Sequence, residues 1–247
     1  MAAKILNQKE DEEMNMNLKN EYALLSSLNH PNIVKVKSLI TSNKNSSIMM
    51  MEFLDSYVSL KTFVENNLQL SQTQIIAILT QIASAVSYLH EKKIVHRDLH
   101  ISNVLIHEST LQIKIIDFGL AKRVYIAHKS YDSLWNIAQK LQEDEFCDFD
   151  TPTGLPSFRA PEILSHGSYS YKVDVWMIGL ILFALINKEY LTTMSVLKRM
   201  KNGDDKFNNQ DFEMEIKMAL VGCLKRNPFE RLSSKELLGL LSLLNQQ

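Results

Sequence analysis

Glycine is scarce in this chain, with seven in 247 residues, and no G-x-G-x-x-G stretch occurs anywhere. The sequence therefore carries none of the glycine-rich motifs that lay backbone N–H groups around a phosphate. Cysteine is scarcer still: Cys147 and Cys223 stand alone, without framework or metal-ligand spacing. That excludes a disulfide scaffold, argues against zinc, and sets a reducing, cytoplasmic compartment as the expectation. Charge of one sign is also missing. The net charge is -1, which gives no basic surface for nucleic acid and no polybasic membrane patch. The longest apolar run, Val175–Ile186, has 12 residues, whereas a bilayer span takes about 20. It fits a fully buried helix, and no membrane span is expected. No basic flank followed by an apolar segment opens the chain, so no signal peptide is expected. There is no internal repeat and no Gly/Ser linker.

What remains is a globular composition, 45% hydrophobic and 22% charged, long enough for one large domain or two lobes. Lys4 to Leu6 has the look of a strand end. A helix is expected from about Asp11 to Leu28, with Met14, Leu18, Glu21, Leu25 and Leu28 on one face. That spacing sets a carboxylate inside an apolar stripe. The runs NIVKVKSLI and SIMMMEFL, joined by TSNKNSS, predict an antiparallel hairpin. From Ser71 the period becomes helical, and Ser71 with Gln74 makes a capping box. VLI and IKII predict a second short hairpin around HESTLQ. Residues 124 to 153 lack periodicity and are expected to be mostly loop. The rest is helical, with segments at Val175–Ile186, near 211–225, and a last helix boxed by Ser233 and Glu236. Strands early and helices late predict an α+β protein, a small sheet lobe followed by a larger helical lobe.

The densest polar cluster is VHRDLHISNVLI, residues 95 to 106. Asp98 and Asn103 lie five apart, and Asp117 follows Asn103 by fourteen residues in IIDFGL. Two carboxylates and an amide are the oxygen ligands that a hard cation such as Mg²⁺ takes together with phosphate oxygens. One acid is then left to act as a base. Singly, each piece has a plainer reading: DFG as a turn, Asp98 as a loop residue, Asn103 as a turn cap.

In combination these stretches resemble the eukaryotic protein kinase family. HRDLHISN is similar to its catalytic loop, DFG to its metal-binding turn, and Ala160 to Glu162 to the APE that ends the activation segment. DVWMIG (174 to 179) resembles the buried helix beneath the catalytic loop. NPFERLSSKELL (227 to 238) supplies Arg231, expected to pair with Glu162. HPNIV (30 to 34) follows the first helix. The resemblance covers essentially the whole chain. It implies a two-lobed kinase-like fold, with ATP and Mg²⁺ as nucleotide and cofactor and a protein hydroxyl as acceptor. By the same resemblance Asp98 orients the hydroxyl and accepts its proton, and Asn103 and Asp117 hold Mg²⁺. Met51 stands at the gatekeeper position, and Glu52, Leu54 and Leu105 border the adenine. Asp174 either caps its helix or braces the HRD backbone.

MAAKIL then resembles the family's V-A-I-K-type strand, with Lys4 as the lysine that binds the α- and β-phosphates. Glu21, nine residues before His30, resembles the helix glutamate that pairs with it. The family's two preceding strands and glycine-rich loop are not in this sequence. The expectation is a clipped chain, with 1–54 an incomplete small lobe and 55–247 the helical lobe. The alternative is a protein that works without the lid.

Three departures from the family pattern bear on function. His100 replaces a lysine that touches the γ-phosphate. On the hypothesis that it partly substitutes for that lysine, phosphotransfer weakens as pH rises through its titration. Leu155, in GLPSFRAPE, replaces a threonine that contacts the catalytic aspartate, in a register that favours Ser/Thr over Tyr acceptors. Thr151, eleven residues before Glu162, sits at the usual regulatory phosphosite, with Arg97 and Lys122 at the phosphate-binding cations. Glu143 to Glu145, Asp148 and Asp150 offer a built-in acidic substitute. The competing reading is a pseudokinase acting as a binding scaffold. A small-molecule phosphotransferase is disfavoured by APE and Arg231. The oligomeric state is not legible.

Overall fold

Side-chain alternation sets the first strand. Ala2 and Lys4 turn toward the covered face of β1 (Ala2–Ile5), while Ala3 and Ile5 point out. The computed structural model describes residues 1–5, 12–41, 47–66, 70–124, 146–147, 154–164, 169–201 and 214–244. β1 pairs antiparallel with β3 (Ser47–Met51), which also pairs antiparallel with β2 (Val36–Thr41), giving the order β1-β3-β2. The expected first hairpin is therefore present. A register shift between Val36 and Ser38 bends its outer strand.

Helix α1 (Glu12–Ser26) packs against this sheet. Its inner face is Leu18, Glu21 and Leu25, all buried. Met14, expected on that stripe, is 44% exposed, and Asn15 is the buried residue of that turn instead. Leu6 and Asp11 lie outside the described residues.

The chain enters the larger lobe through β4 (Tyr57–Ser59) and α2 (Leu60–Asn66). Next comes α3 (Gln72–Glu91), whose capping box is formed as its sequence predicts. Gln74 N–H donates to Ser71 Oγ at 3.2 Å, and Ser71 N–H donates to Gln74 Oε1 at 2.9 Å. β6 (Val104–His107) pairs with β7 (Ile113–Ile115), and β4 joins the other side, in the order β4-β6-β7. Two shorter ladders flank them. β5 (Ile94–Val95) pairs with β8 (Lys122–Arg123), and β9 (Phe146–Cys147) with β10 (Tyr169–Ser170). Within the stretch expected to be loop, β9 is thus a strand. Two residues are too few to carry a periodic signal.

Below these ladders lie α4 (Pro161–Leu164), α5 (Lys172–Asn187), α6 (Thr193–Lys201), α7 (Met214–Cys223) and α8 (Ser234–Leu244). The Ser233–Glu236 box opens α8: Glu236 N–H donates to Ser233 Oγ, and Ser233 N–H to Glu236 Oε2. The apolar run forms α5, buried from Lys172 to Leu185. A Cβ on Gly179 would lie 2.7 Å from Leu224 Cδ2, so only glycine lets α5 approach the end of α7 this closely. The result is the α+β, two-lobed architecture expected. The lobes are stitched by Val34 N–H to Ile115 O (3.0 Å) and Ile115 N–H to Asn32 O (2.8 Å). Among the described residues, no helix is long and apolar enough to cross a membrane.

Candidate active site

The polar segment 95 to 106 is held from below by one buried carboxylate. Asp174 does not cap α5, whose N-cap is Tyr171 without a side-chain bond. Instead its Oδ2 accepts from His96 N–H and its Oδ1 from Arg97 N–H, both at 2.9 Å. His90 Nε2 also lies 2.9 Å from Oδ2, and His90 Nδ1 lies 2.9 Å from Ser234 Oγ. Burial works to raise the Asp174 carboxyl. The His90 hydrogen bond, the histidine charges and the His96 backbone donor outweigh it and hold the group below the usual carboxylate range. Arg97 can thus be fixed at φ 68, a left-handed backbone that a free chain avoids. The turn at Arg97 aims Asp98 outward.

Asp98 is gripped at both oxygens. Oδ2 accepts from Asn103 Nδ2 at 3.3 Å, and Oδ1 accepts from Leu155 N–H at 3.2 Å. The 3-10 turn Ile101–Asn103 supplies Asn103, whose Nδ2 also donates to Asp98 O at 3.0 Å. Both side-chain hydrogen bonds of Asn103 are donated by its amide nitrogen, and among the described residues its Oδ1 is unpaired. His100 caps that turn, its Nδ1 accepting from Ser102 N–H at 3.2 Å. Nε2 therefore carries the proton of the neutral ring and lies 3.7 Å from Asp98 Oδ2. Burial pushes the His100 ring down, against the opposing pull of Asp98 and Asp117.

Asp117 is brought to the same place by the backbone. Ile116 N–H donates to Asn103 O at 2.9 Å, which staples the end of β7 to the 3-10 turn. Asp117 has φ 62 and turns its carboxylate toward Lys4, whose Nζ donates to Oδ1 at 3.2 Å. Gly119 N–H also approaches Oδ1, at 3.4 Å, and Oδ2 is unpaired among the described residues. Burial raises the Asp117 carboxyl, but the charge and hydrogen bond of Lys4 prevail, and the group stays below its ordinary value. Lys4 Nζ donates at the same time to Glu21 Oε2 (2.8 Å) and Oε1 (3.1 Å). Burial pulls Lys4 down, yet Glu21 first and Asp117 second hold it above its ordinary value. Glu21 Oε1 further accepts from Phe118 N–H at 3.1 Å. The carboxylate in the stripe of α1 thus binds a strand cation and the backbone after Asp117.

At the far edge of the cleft, Glu52 and Leu54 follow β3. Glu52 N–H donates to Lys35 O, and its Oε1 accepts from Lys35 N–H (2.9 Å) and Lys114 Nζ (2.8 Å). The Glu52 carbonyl and the Leu54 N–H carry no hydrogen bond among the described residues. Leu105, on β6, stands opposite Ser59 and Lys114.

Arg231 meets Glu162 through both terminal nitrogens, at 2.7 and 2.9 Å. Its remaining donors go to the carbonyls of Lys225, Lys172 and Arg226, and its guanidinium stacks on Trp176. Arg97 Nε donates to Leu120 O at 2.6 Å, and Lys122 stands opposite Val95 in the β5–β8 ladder. Thr151, Glu143 to Glu145, Asp148 and Asp150 lie outside the described residues.

Sequence reasoning missed three contributors. His90 links Asp174 to α8, Lys114 braces Glu52, and the Leu155 amide reaches Asp98. A charged residue between the buried Ile113 and Ile115 of a short strand was the signal available for Lys114. Backbone amides have none.

A family model for the protein kinase domain matches residues 1–240. The chain belongs to the protein kinase family. Serine/threonine-protein kinase 33 of Mus musculus is 29% identical over 236 residues, 90% of this chain and 44% of that protein. Myosin light chain kinase family member 4 of Homo sapiens is 28% identical over 251 residues, 96% of this chain and 58% of that protein. NUAK family SNF1-like kinase 2 of Homo sapiens is 32% identical over 219 residues, 88% of this chain and 29% of that protein. The chain spans less than half the length of the serine/threonine-protein kinase 33 sequences, 44% and 45%.

Proposed function

We propose that this kinase domain transfers the γ-phosphate of ATP to a serine or threonine hydroxyl of a protein substrate. The observation that carries the reading is the convergence on Asp98. Its carboxylate is fixed by Asn103 and Leu155, while Asn103 and Asp117 are stapled side by side through the Ile116–Asn103 backbone bond. Proton acceptance from a substrate hydroxyl requires a carboxylate held in one orientation, and two hydrogen-bond donors fix that orientation. Relatives named as serine/threonine kinases support the choice of acceptor.

The donor set fits a divalent cation. Asn103 Oδ1 and Asp117 Oδ2 are unpaired oxygens, and Asp117 is held ionised by Lys4. Two protein oxygens plus phosphate oxygens and water suit Mg²⁺. When bound, Mg²⁺ neutralises phosphate charge. In this reading Lys4 holds the α- and β-phosphates, and Glu21 fixes Lys4 for that task. The unpaired Glu52 carbonyl and Leu54 N–H offer the acceptor and donor that an adenine edge needs, and Leu105 forms the apolar floor. Arg97, tied to Leu120 O, joins the catalytic loop to the segment after Asp117. His100 offers its Nε2–H toward the reacting region. We place the lobe boundary after Leu54. Cys223, buried and with its thiol pushed up to about 12 by burial, suits an intracellular, reducing setting.

The test is Mg-ATP transfer to generic Ser/Thr peptides, with Asp98→Asn as control. A loss of about 10² to 10⁴ in kcat is expected. Equal transfer by both proteins leaves only the scaffold reading.

A further inference from the structure

The turn that leaves α1 has no charge of its own: Tyr22 to Asn29 contains neither acid nor base. A guanidinium nevertheless reaches it. Arg123 Nη2, on β8, donates to Ser27 Oγ at 3.4 Å. Among the described residues Arg123 pairs with no carboxylate, so its cation meets one neutral hydroxyl. A second cation flanks the turn. Asn29 N–H donates to Tyr88 Oη at 2.9 Å, and Lys92 Nζ lies 5.1 Å from the centre of the same ring. Ser27 and Arg123 are both exposed, so the pair is open to an incoming group.

The Ser27 hydroxyl proton can be given up without cost to the helix end. Oγ–H donates to Leu24 O at 2.7 Å, but Ser27 N–H donates to the same carbonyl at 3.1 Å and keeps it paired. Ser26 differs: its Oγ–H bonds back to Tyr22 O inside the helix, and no cation meets it among the described residues. A phosphate on Ser27 adds nearly two negative charges and three acceptor oxygens. Arginine answers such a group with two parallel N–H···O bonds, each about twice as strong as a neutral one. The negative end of the α1 dipole opposes an anion there, and the last turn of α1 has no basic residue to relieve it. That opposition is spread over several carbonyls and screened by water, whereas Arg123 is already in contact, so the arginine prevails.

We propose that Ser27 is a phosphorylation site whose phosphate is clasped by Arg123, fastening α1, the helix that carries Glu21, to the strand that follows Asp117. The donor is Mg-ATP and the transferring kinase is a second copy of this domain, which rests on the phosphotransfer reading. Buried Leu18, Glu21 and Leu25 hold α1 on its sheet, so Ser27 does not move into its own catalytic turn and transfer runs between copies. Ser27 Oγ bonds the γ-phosphorus, the bond from that phosphorus to the bridging oxygen breaks, ADP leaves, and the hydroxyl proton passes to Asp98 of the other copy.

The test has two arms. In the first, wild-type protein and Mg-ATP are mixed with isotope-labelled Asp98→Asn chain, and phosphopeptide mass spectrometry reads Ser26 and Ser27 of the labelled chain separately. Phosphate is expected on Ser27 and not on Ser26. In the second, phosphoserine is placed at position 27 during synthesis and the thermal midpoint is measured. A rise of about 2–4 °C is expected, the scale for one such contact in a domain of this size. The rise is expected to vanish in Arg123→Ala, to persist in part in Arg123→Lys, and to shrink in about 1 M salt, where exposed charges are screened. Transfer to serine peptides but not to Ser27 overturns the site. A midpoint unmoved or lowered by phosphoserine, or a rise kept in Arg123→Ala, overturns the clasp. No transfer to any substrate, with the Arg123-dependent rise present, overturns the phosphotransfer reading and upholds the clasp. Neither transfer nor rise overturns both.

Discussion

The main-chain N–H of Leu155 donates to Asp98 Oδ1 over 3.2 Å. From the sequence, Leu155 is a loss, because an aliphatic side chain replaces a hydroxyl at this position. In the structure a donor survives the substitution, supplied by the backbone. Gly154 makes the approach possible. It has φ 78, and a Cβ there would lie 2.7 Å from Arg97 O. Arg159 holds the same peptide, donating to Gly154 O at 3.0 and 3.2 Å. A hydrogen bond to a charged group contributes about 1.5–3 kcal/mol. Leu155→Pro removes the N–H and is expected to lower kcat by about tenfold or more with KM for ATP unchanged. Leu155→Ala keeps the N–H and is expected to stay within about twofold. Steady-state kinetics on both variants checks this, and equal rates for the two would dismiss the backbone donor.

Glu21 answers to two groups at once, Lys4 Nζ and Phe118 N–H. Glu21→Ala is expected to leave Lys4 held by Asp117 and to raise KM for ATP about tenfold. The pH dependence follows from the signs. Lys4 is held above its ordinary 10.5, so its contribution is complete below that value and is lost as pH rises through the raised one. Asp117 is held below its ordinary 3.8, so its contribution is complete above that value and is lost as pH falls through the depressed one. Nucleotide affinity limited by this pair is expected to be flat from about pH 5 to 9, measured by titration calorimetry. A titration step inside that window in wild type, absent in Glu21→Ala, would contradict the assignment.

Asp174 is the brace on which the catalytic turn rests. Three donors converge on it: His96 N–H, Arg97 N–H and His90. Each buried donor left unsatisfied costs about 1–3 kcal/mol. Asp174→Ala is expected to destabilise the fold by about 3 kcal/mol or more, measured by urea denaturation. Because its carboxyl is held below the ordinary value of 3.8, the stability it provides is present above that pH and disappears as pH falls through the depressed value. The acid limb of unfolding is therefore expected to be shallower in Asp174→Ala than in wild type.

How much of this was legible in the sequence depended on the kind of interaction. Period and spacing sufficed for the two hairpins, the boxes at Ser71 and Ser233, and the buried α5. A carboxylate inside an apolar stripe was enough to single out Glu21, because apolar faces carry charge only with a partner. Met14 failed for a related reason: helical spacing fixes a face but not how far the packing surface extends along it. What stayed hidden were contacts made by backbone atoms, the Leu155 amide and the Ile116–Asn103 staple, since every residue carries the same groups.

Arg231 is 1% exposed, and all its donors are placed, two on Glu162 and the others on carbonyls. Lysine has the charge without the planar fork and offers fewer donors. Arg231→Lys is expected to cost about 3 kcal/mol, the range for breaking a buried pair. Differential scanning calorimetry measures it. Replacement of both Arg231 and Glu162 by apolar residues of similar volume is expected to cost less than Arg231→Met alone, which leaves the Glu162 carboxylate without its partner.

His100 invites a different expectation from the one its position first suggests. As a substitute for a lysine it would act when protonated, and activity would fall as pH rises through its titration. In the fold, burial pushes that titration below the ordinary 6.5, while Asp98 and Asp117 pull the other way. At pH 7 to 8 the ring is neutral, with its proton on Nε2 beside Asp98 and Nδ1 committed to Ser102 N–H. Its role there is to cap the 3-10 turn and offer one hydrogen bond, not a full charge. The wild-type to His100→Ala ratio of kcat/KM is therefore expected to be constant between pH 7 and 8. Any rise in that ratio belongs below about pH 6.5, where the ring gains its charge. A ratio that falls steadily across pH 7 to 8 would mean the ring titrates there, and the neutral assignment would have to be given up.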